Sequence, residues 1–243
     1  MNLQFVSCKD YSKFNHRIIL IGSSTKISTL GLAGADAAEA QKFFDDKVNH
    51  LWQNIGAGNS ISIVKMDTAK EEHRTLEGAR RAGNVVNKFL NGKKIAEASF
   101  FNATQKPKVA AAFVEGMALS NYEFLKYKTR DRKEKSLATL QVDARSLDKK
   151  TLEEISKVTV ANFFARTLIN EPLSYLTATQ LSKEIQKAGK EYGFNVEVFD
   201  KKKITELKMG GLLSVNRGSQ DPPTFTVMEY KGSRPKNKKP IVL

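Results

Sequence analysis

Residues 160–230 read VANFFARTLINEPLSYLTATQLSKEIQKAGKEYGFNVEVFDKKKITELKMGGLLSVNRGSQDPPTFTVMEY, and the order of elements in this stretch decides the fold. It opens inside a long helix predicted over residues 148–169, where Leu152, Ile155, Val158, Ala161, Phe164 and Leu168 recur at helical spacing and Val160 and Phe163 widen the stripe. A helix that apolar has two sides to bury, as a connector between domains would. Asn170-Glu171-Pro172 stops it, because the residue before a proline is driven out of the helical region. Thr177, with Gln180 three residues on, is a capping box that starts the next helix. That helix turns Leu181, Ile185, Ala188 and Tyr192 inward and ends at Gly193. Residues 195–199 then read as a strand, 204–209 as a short helix, Gly210-Gly211 as a packing turn, and 224–230 as a strand entered through Pro222-Pro223. Lys231 to Lys239 connects to a last strand over 240–243.

Working back toward the N-terminus, the same alternation continues. Strands are expected at residues 3–6, 18–22, 61–65, 95–101 and 137–142. The apolar run at 18–22 has the unbroken hydrophobicity of a strand buried on both faces. A helix capped by Asp36, with Glu39 completing the box, is expected to carry Ala40, Phe44, Val48, Leu51 and Ile55 to a stop at Gly56. A second runs over 71–90 with Leu76, Ala79, Ala82, Val86 and Phe89 inward. A third starts at Pro107 and turns Val109, Phe113 and Met117 to one face. Strands alternating with helices require crossover connections, hence a largely parallel sheet with helices on its faces. The expected class is α/β, with three parts: an N-terminal α/β domain over 1–145, a connecting helix over 146–170, and the start of a second α/β domain over 171–243.

At 243 residues with 40% hydrophobic content, the chain can bury a core. No apolar run approaches the length of a membrane span, and residues 1–7 lack the form of a secretory signal. One cysteine, Cys8, forms no internal disulfide, which fits a reducing, cytoplasmic setting. The net charge of +14 attracts polyanions. The positive residues gather at 126–135, 201–203 and 231–239, which read as loops and segment ends. Solvated loops are the plain account, and a nucleic-acid footprint is the alternative.

Candidate catalysts are few. His16, His50 and His73 stand far apart with no His-x-x-x-His pair for a helix-borne zinc, and each reads as a surface or helix-face residue. Cys8 lacks a surrounding motif and no Gly-x-Ser-x-Gly elbow occurs. The adjacent acids Asp45-Asp46, Glu71-Glu72 and Glu153-Glu154 diverge on a helix rather than converge on a metal. Gly56 and Gly58 lack the remainder of a phosphate loop.

In residues 160–230, Arg166, Leu168, Asn170, Pro172, Leu176 and Thr177, then Met209, Gly210, Gly211, Leu212 and Leu213, Arg217-Gly218-Ser219, Pro222-Pro223 and Glu229-Tyr230 follow one another in the order and spacing of the leucyl aminopeptidase (cytosol aminopeptidase) family. The stretch resembles the start of that family's catalytic domain. Glu115-Gly116 and the Tyr122, Phe124, Tyr127 segment are similar to the end of its N-terminal domain. Ala178, Thr167 and Ser174 depart from the family pattern at positions that are not catalytic in it. The resemblance implies a macro-domain-like N-terminal fold followed by an incomplete aminopeptidase domain. It implies a cytoplasmic, hexameric metallopeptidase that removes N-terminal residues, leucine favoured, from peptides. Two divalent ions, zinc or manganese, activate water there with a lysine and an arginine assisting. Those groups follow a strand of the 240–243 kind in the family. No residue of this chain is therefore expected to be catalytic, metal-ligating or substrate-binding, and no ion is expected to bind it. The strands at 224–230 and 240–243 are expected to be neighbours in a sheet completed from sequence beyond Leu243. Because some bacterial members bind DNA, a basic nucleic-acid-binding or regulatory module remains the alternative to an N-terminal part of the enzyme.

Overall fold

The computed structural model describes residues 3–22, 25–26, 30, 37–38, 40–42, 49–56, 58–66, 71–233 and 239–242. The chain divides into two compact units, Met1–Ala165 and Arg166–Leu243. Among the described residues no helix is long and apolar enough to cross a membrane.

The first unit is built on a six-stranded sheet of β1 (Gln4–Cys8), β2 (His16–Gly22), β3 (His50–Asn54), β4 (Ser60–Met66), β5 (Glu97–Asn102) and β6 (Thr139–Asp143). Their spatial order is β1-β6-β5-β2-β4-β3. Every pair is parallel except β3 with β4. β2 lies at the centre, and its Ile18, Ile19, Leu20 and Ile21 are all buried, as a strand covered on both faces must be. One face, with Ile18, Leu20, Val64, Phe100, Leu140 and Val142, packs in a single cluster with α1 (Glu72–Gly92) and α2 (Pro107–Ser120). The other, with Ile19, Ile21, Ile61 and Ile63, packs with Leu30, Ala40 and Leu51.

β3 corrects the sequence reading. Residues 37, 38 and 40–42 are helical, but Leu51 lies in a strand and Ile55 in the turn that follows it; Asp36, Glu39, Phe44 and Val48 lie outside the described residues. Leu51 and Gln53 alternate inward, and the Ile55 amide bonds the Asn59 carbonyl to close an antiparallel hairpin. Gly56 and Gly58 take positive φ of 82° and 76° in that turn, so their use is backbone geometry.

α1 and α2 approach so closely that side chains are excluded between them. A Cβ on Gly83 would stand 2.2 Å from the Phe113 carbonyl oxygen, and one on Gly116 would stand 2.1 Å from that of Arg80. Burial on α1 falls on Thr75, Ala79, Gly83, Val86, Asn87 and Leu90, which turns the inward stripe slightly from Leu76, Ala82 and Phe89. At the C-terminal end of α1, Asn91 Oδ1 accepts the amides of Ser136 and Leu137 at 2.7 and 3.1 Å, pinning the entry to β6. α3 (Lys149–Asn170) buries Leu152, Thr159 and Phe163, and Phe163 meets the Tyr122 ring at 5.1 Å. Its Val158, expected inward, is exposed.

The second unit contains α4 (Ala178–Tyr192), β7 (Asn195–Phe199), α5 (Lys201–Glu206), α6 (Gly210–Asn216) and β8 (Phe225–Glu229). Thr177 caps α4 by accepting the Gln180 amide at 3.3 Å, while the Gln180 side chain bonds Glu184. Gly193 closes the helix in the left-handed conformation. β7 and β8 pair antiparallel, and Ser182 of α4 reaches Thr224 and Thr226 at 2.9 Å. Three expectations are corrected. Leu181 and Tyr192 of α4, expected inward, are exposed, and burial falls on Ser182, Ala188 and Gly189. Gly210-Gly211 is the first turn of α6, which starts after Met209. Residues 240–242 are not in a strand, Leu243 lies outside the described residues, and among the described residues the neighbour of β8 is β7.

Candidate functional site

The most organised polar group among the described residues sits at the carboxyl ends of β1, β5 and β6, the edge where open parallel sheets present ligand-binding loops. Asp143 ends β6 with its side chain 0% exposed. It accepts the Arg145 amide at 2.9 Å, Nε at 2.8 Å and Nη2 at 2.6 Å, and the Tyr11 backbone also bonds it. Burial pushes the carboxyl up, but the bonds and charge of Arg145 outweigh it and hold Asp143 below its ordinary value. The same bonds raise Arg145. The Arg145 side chain remains 63% exposed, with its guanidinium 5.0 Å from the Phe101 ring. Phe101 in turn stacks on Tyr11 at 4.5 Å and 4°. Chemically this is a rigidly aimed guanidinium on an aromatic base. Its sequence signal is an Asp-x-Arg directly after an apolar strand, but the partners Tyr11 and Phe101 are distant in sequence and carry no local signal.

Cys8 stands beside this group on β1. Its thiol is raised, first by burial and then by the Asp143 charge, which is the opposite of what an activated nucleophile needs.

The histidines fall in two places. His73 is exposed, 3.4 Å from Glu71. His16 and His50, read from sequence as surface or helix-face residues, are instead part-buried on β2 and β3, and the sheet brings them to a shared row of serines: His16 Nδ1 is 2.7 Å from Ser60 Oγ, and His50 Nε2 is 3.4 Å from Ser62 Oγ. Glu71 turns to Arg74 at 2.9 Å and Glu72 to Lys108 at 2.8 Å, so this adjacent pair diverges. Glu153 reaches Lys149 at 3.9 Å; Asp45 and Asp46 lie outside the described residues. Among the described residues no group of three or more His, Cys, Asp or Glu converges to hold a metal.

A cleft of about 310 Å³ opens between α1, α2 and α3, floored by Leu76, Ala111, Ala112 and Ile155 and bordered by Arg80 and Glu115. Those two are paired at 2.7 Å, and Lys108, also lining the cleft, is paired with Glu72 at 2.8 Å. Residues 126–134 are exposed and outside helices and strands.

Comparison with known proteins adds an ordered pair of matches. Residues 68–131 match the N-terminal domain of the cytosol aminopeptidase family, and residues 163–243 match that family's catalytic domain. A probable cytosol aminopeptidase of Clostridium perfringens is 34% identical over 187 residues, covering 72% of this chain and 38% of that protein. One of Chlorobaculum parvum is 60% identical over 79 residues, covering 32% of this chain and 16% of that protein. The chain thus spans less than half the length of these curated relatives. Among solved structures, a tomato leucine aminopeptidase mutant superposes with a TM-score of 0.78 at 17% identity, over 97% of this chain and 52% of that one. The bottromycin maturation enzyme BotP in complex with Mn gives 0.70 at 18%, over 90% of this chain and 46% of that one. At these identities the likeness is one of fold.

Proposed function

We propose, since the chain belongs to the cytosol aminopeptidase family, that it forms the N-terminal part of a metal-dependent leucyl aminopeptidase, which hydrolyses N-terminal residues from peptides. In this reading residues 1–145 are the accessory α/β domain, 146–170 the connecting helix and 171–243 the opening of the catalytic domain. The observation that carries it is the succession of the two family matches along one chain. The family's two divalent ions, zinc or manganese, would polarise the scissile carbonyl and activate water. The described residues do not fit such ions, because no ligand group converges among them, and no catalytic step is assigned to these side chains. Their part is architectural: a buried parallel sheet, and a capped helix with a strand pair beside it. Cytoplasmic location and hexameric assembly belong to the same proposal.

The test compares two polypeptides: the 243-residue chain, and the chain continued by the remaining segment of the Clostridium perfringens relative. The first is expected to show no manganese- or zinc-stimulated hydrolysis of leucine amide and no stoichiometric metal uptake in calorimetry. The second is expected to gain both. Metal-stimulated turnover by a contaminant-free sample of the first would overturn the assignment of chemistry elsewhere.

The exposed basic segment at 126–134 and the charge of +14 favour one second reading, polyanion binding. Retention on duplex DNA should then fall steeply between about 50 and 200 mM salt. Retention that is absent at low salt removes this reading.

A further inference from the structure

Beneath the last turns of α1 the sheet carries a polar row that the aminopeptidase reading does not use. In register, His16 of β2 faces Ser60 of β4, and Ser62 of β4 faces Trp52 of β3. Strand alternation puts these residues and His50 on the face covered by α1. Trp52 lies 6.4 Å from the His16 ring and 4.7 Å from Phe89 of α1. His50 meets the same Phe89 ring edge-on at 5.6 Å. Ser60 and Ser62 are 2% and 0% exposed, so neither histidine–serine pair is open to a substrate as a nucleophile.

β3 is the last strand of the sheet, with β4 as its sole sheet neighbour among the described residues. Its docking onto α1 therefore rests on Trp52 and His50 against Phe89. Burial holds both imidazoles below their ordinary value of 6.5, and among the described residues no carboxylate contributes to either shift. Lys93, the residue just past α1, stands with its Nζ 5.7 Å from the Phe89 ring. Arg17 and Lys65 alternate to the opposite face of β2 and β4. Among the described residues, a proton taken up by either ring thus meets an ammonium beyond Phe89 and buried hydroxyls, with no carboxylate contributing to either shift.

We propose that this cluster makes β3 an acid-released edge: mild acidification charges His16 and His50 and detaches β3 and Trp52 from α1 while the central strands stay paired. The sign follows from linkage. The neutral rings stabilise the docked edge fully above pH 6.5, and that contribution is lost as pH falls through 6.5 toward the lower value of the folded state.

Trp52 is the chain's one tryptophan, so its emission reports this edge alone. Titrating the full chain from about pH 8 to about pH 4.5, a window that brackets histidine titration, should shift the emission reversibly to longer wavelength, with a midpoint below 6.5, while far-ultraviolet circular dichroism keeps its helical signal. A His16→Gln, His50→Gln double variant should lose that transition. Amide hydrogen exchange of the unmodified chain at about pH 5, corrected for intrinsic rate, should show β3 losing at least roughly tenfold more protection than β2. The exchange measurement stands even if the double variant fails to fold. Flat emission across the range, an unchanged transition in a folded double variant, or equal protection loss in β3 and β2 overturns the proposal.

Discussion

Replacing Gly116 with alanine is expected to destabilise the first unit by about 3 kcal/mol, with Gly83→Ala close behind. Two effects oppose each other at these positions. Alanine favours a helix over glycine by about 1 kcal/mol. Yet the added methyl at Gly116 would lie 2.1, 2.6 and 2.7 Å from three backbone atoms of Arg80, and at Gly83 2.2 and 2.9 Å from backbone of Phe113 and Met117. Backbone cannot swing aside as a side-chain tip can, so the helices must part and uncover the core around Phe113 and Val86. Gly78→Ala is the control on the same helix as Gly83. Its methyl would meet only the Met66 side chain at 3.9 Å, an ordinary contact, and stability should hold or rise. Urea unfolding of the three variants decides the matter: a Gly116→Ala curve within experimental error of Gly78→Ala would refute the close crossing.

The second large effect belongs to Asp143. Its truncation to alanine removes the acceptor for the Arg145 and Tyr11 amides and for the guanidinium. Losing the acceptor of these charge-assisted bonds makes the expected loss about 1.5 kcal/mol, at the low end for such bonds because Arg145, 63% exposed, can turn to water. The substitution Asp143→Asn should cost less, because the amide oxygen still accepts, and it isolates the charge. A carboxyl held below the ordinary 3.8 contributes stability that is full above that pH and is lost as pH falls through the depressed folded value. Denaturant midpoints from about pH 7 to about pH 2.5 should therefore fall less for Asp143→Asn than for the unmodified chain. Parallel acid limbs would show that the pairing with Arg145 contributes little to the folded state.

What can be read in the sequence, and what cannot, divides by the range of the signal. The cap at Thr177 and the stop at Gly193 are local, and the structure reproduces both. The buried run at Ile18, Ile19, Leu20 and Ile21 announces a central strand by its unbroken hydrophobicity. β3 escapes a sequence reading because Leu51 and Ile55 continue the helical spacing of Ala40 by coincidence. The Gly56-Ala57-Gly58-Asn59 turn is visible, but nothing local says that the residues before it pair with those after it. The near-contact of Gly83 and Gly116 with the opposite helix depends on the crossing of two helices, which no window of sequence contains. The Asp143 group likewise gathers residues from β5, β6 and the segment after β1, whose adjacency is a property of strand order. Family resemblance cannot supply these either, since it is carried chiefly by residues 160–230, and the organised polar groups lie before them.

The placement of β1 has a consequence for how the chain comes into being. Its one partner among the described residues is β6, with Gln4 beside Thr139, so the first strand to be synthesised must wait for the last strand of its sheet. At ordinary elongation rates that wait is on the order of ten seconds, whereas the β3–β4 hairpin can form within about 10 microseconds of its release. The segments between nucleate first, through short-range hairpin and helix-pair contacts, and the closing of the long loop comes last. β1 thus spends its early life as an unpaired ribbon. Its apolar side chains, Phe5, Val6 and Cys8, are interrupted only by Ser7 and preceded by Gln4, so until β6 emerges this ribbon is an open edge on which other chains can pair.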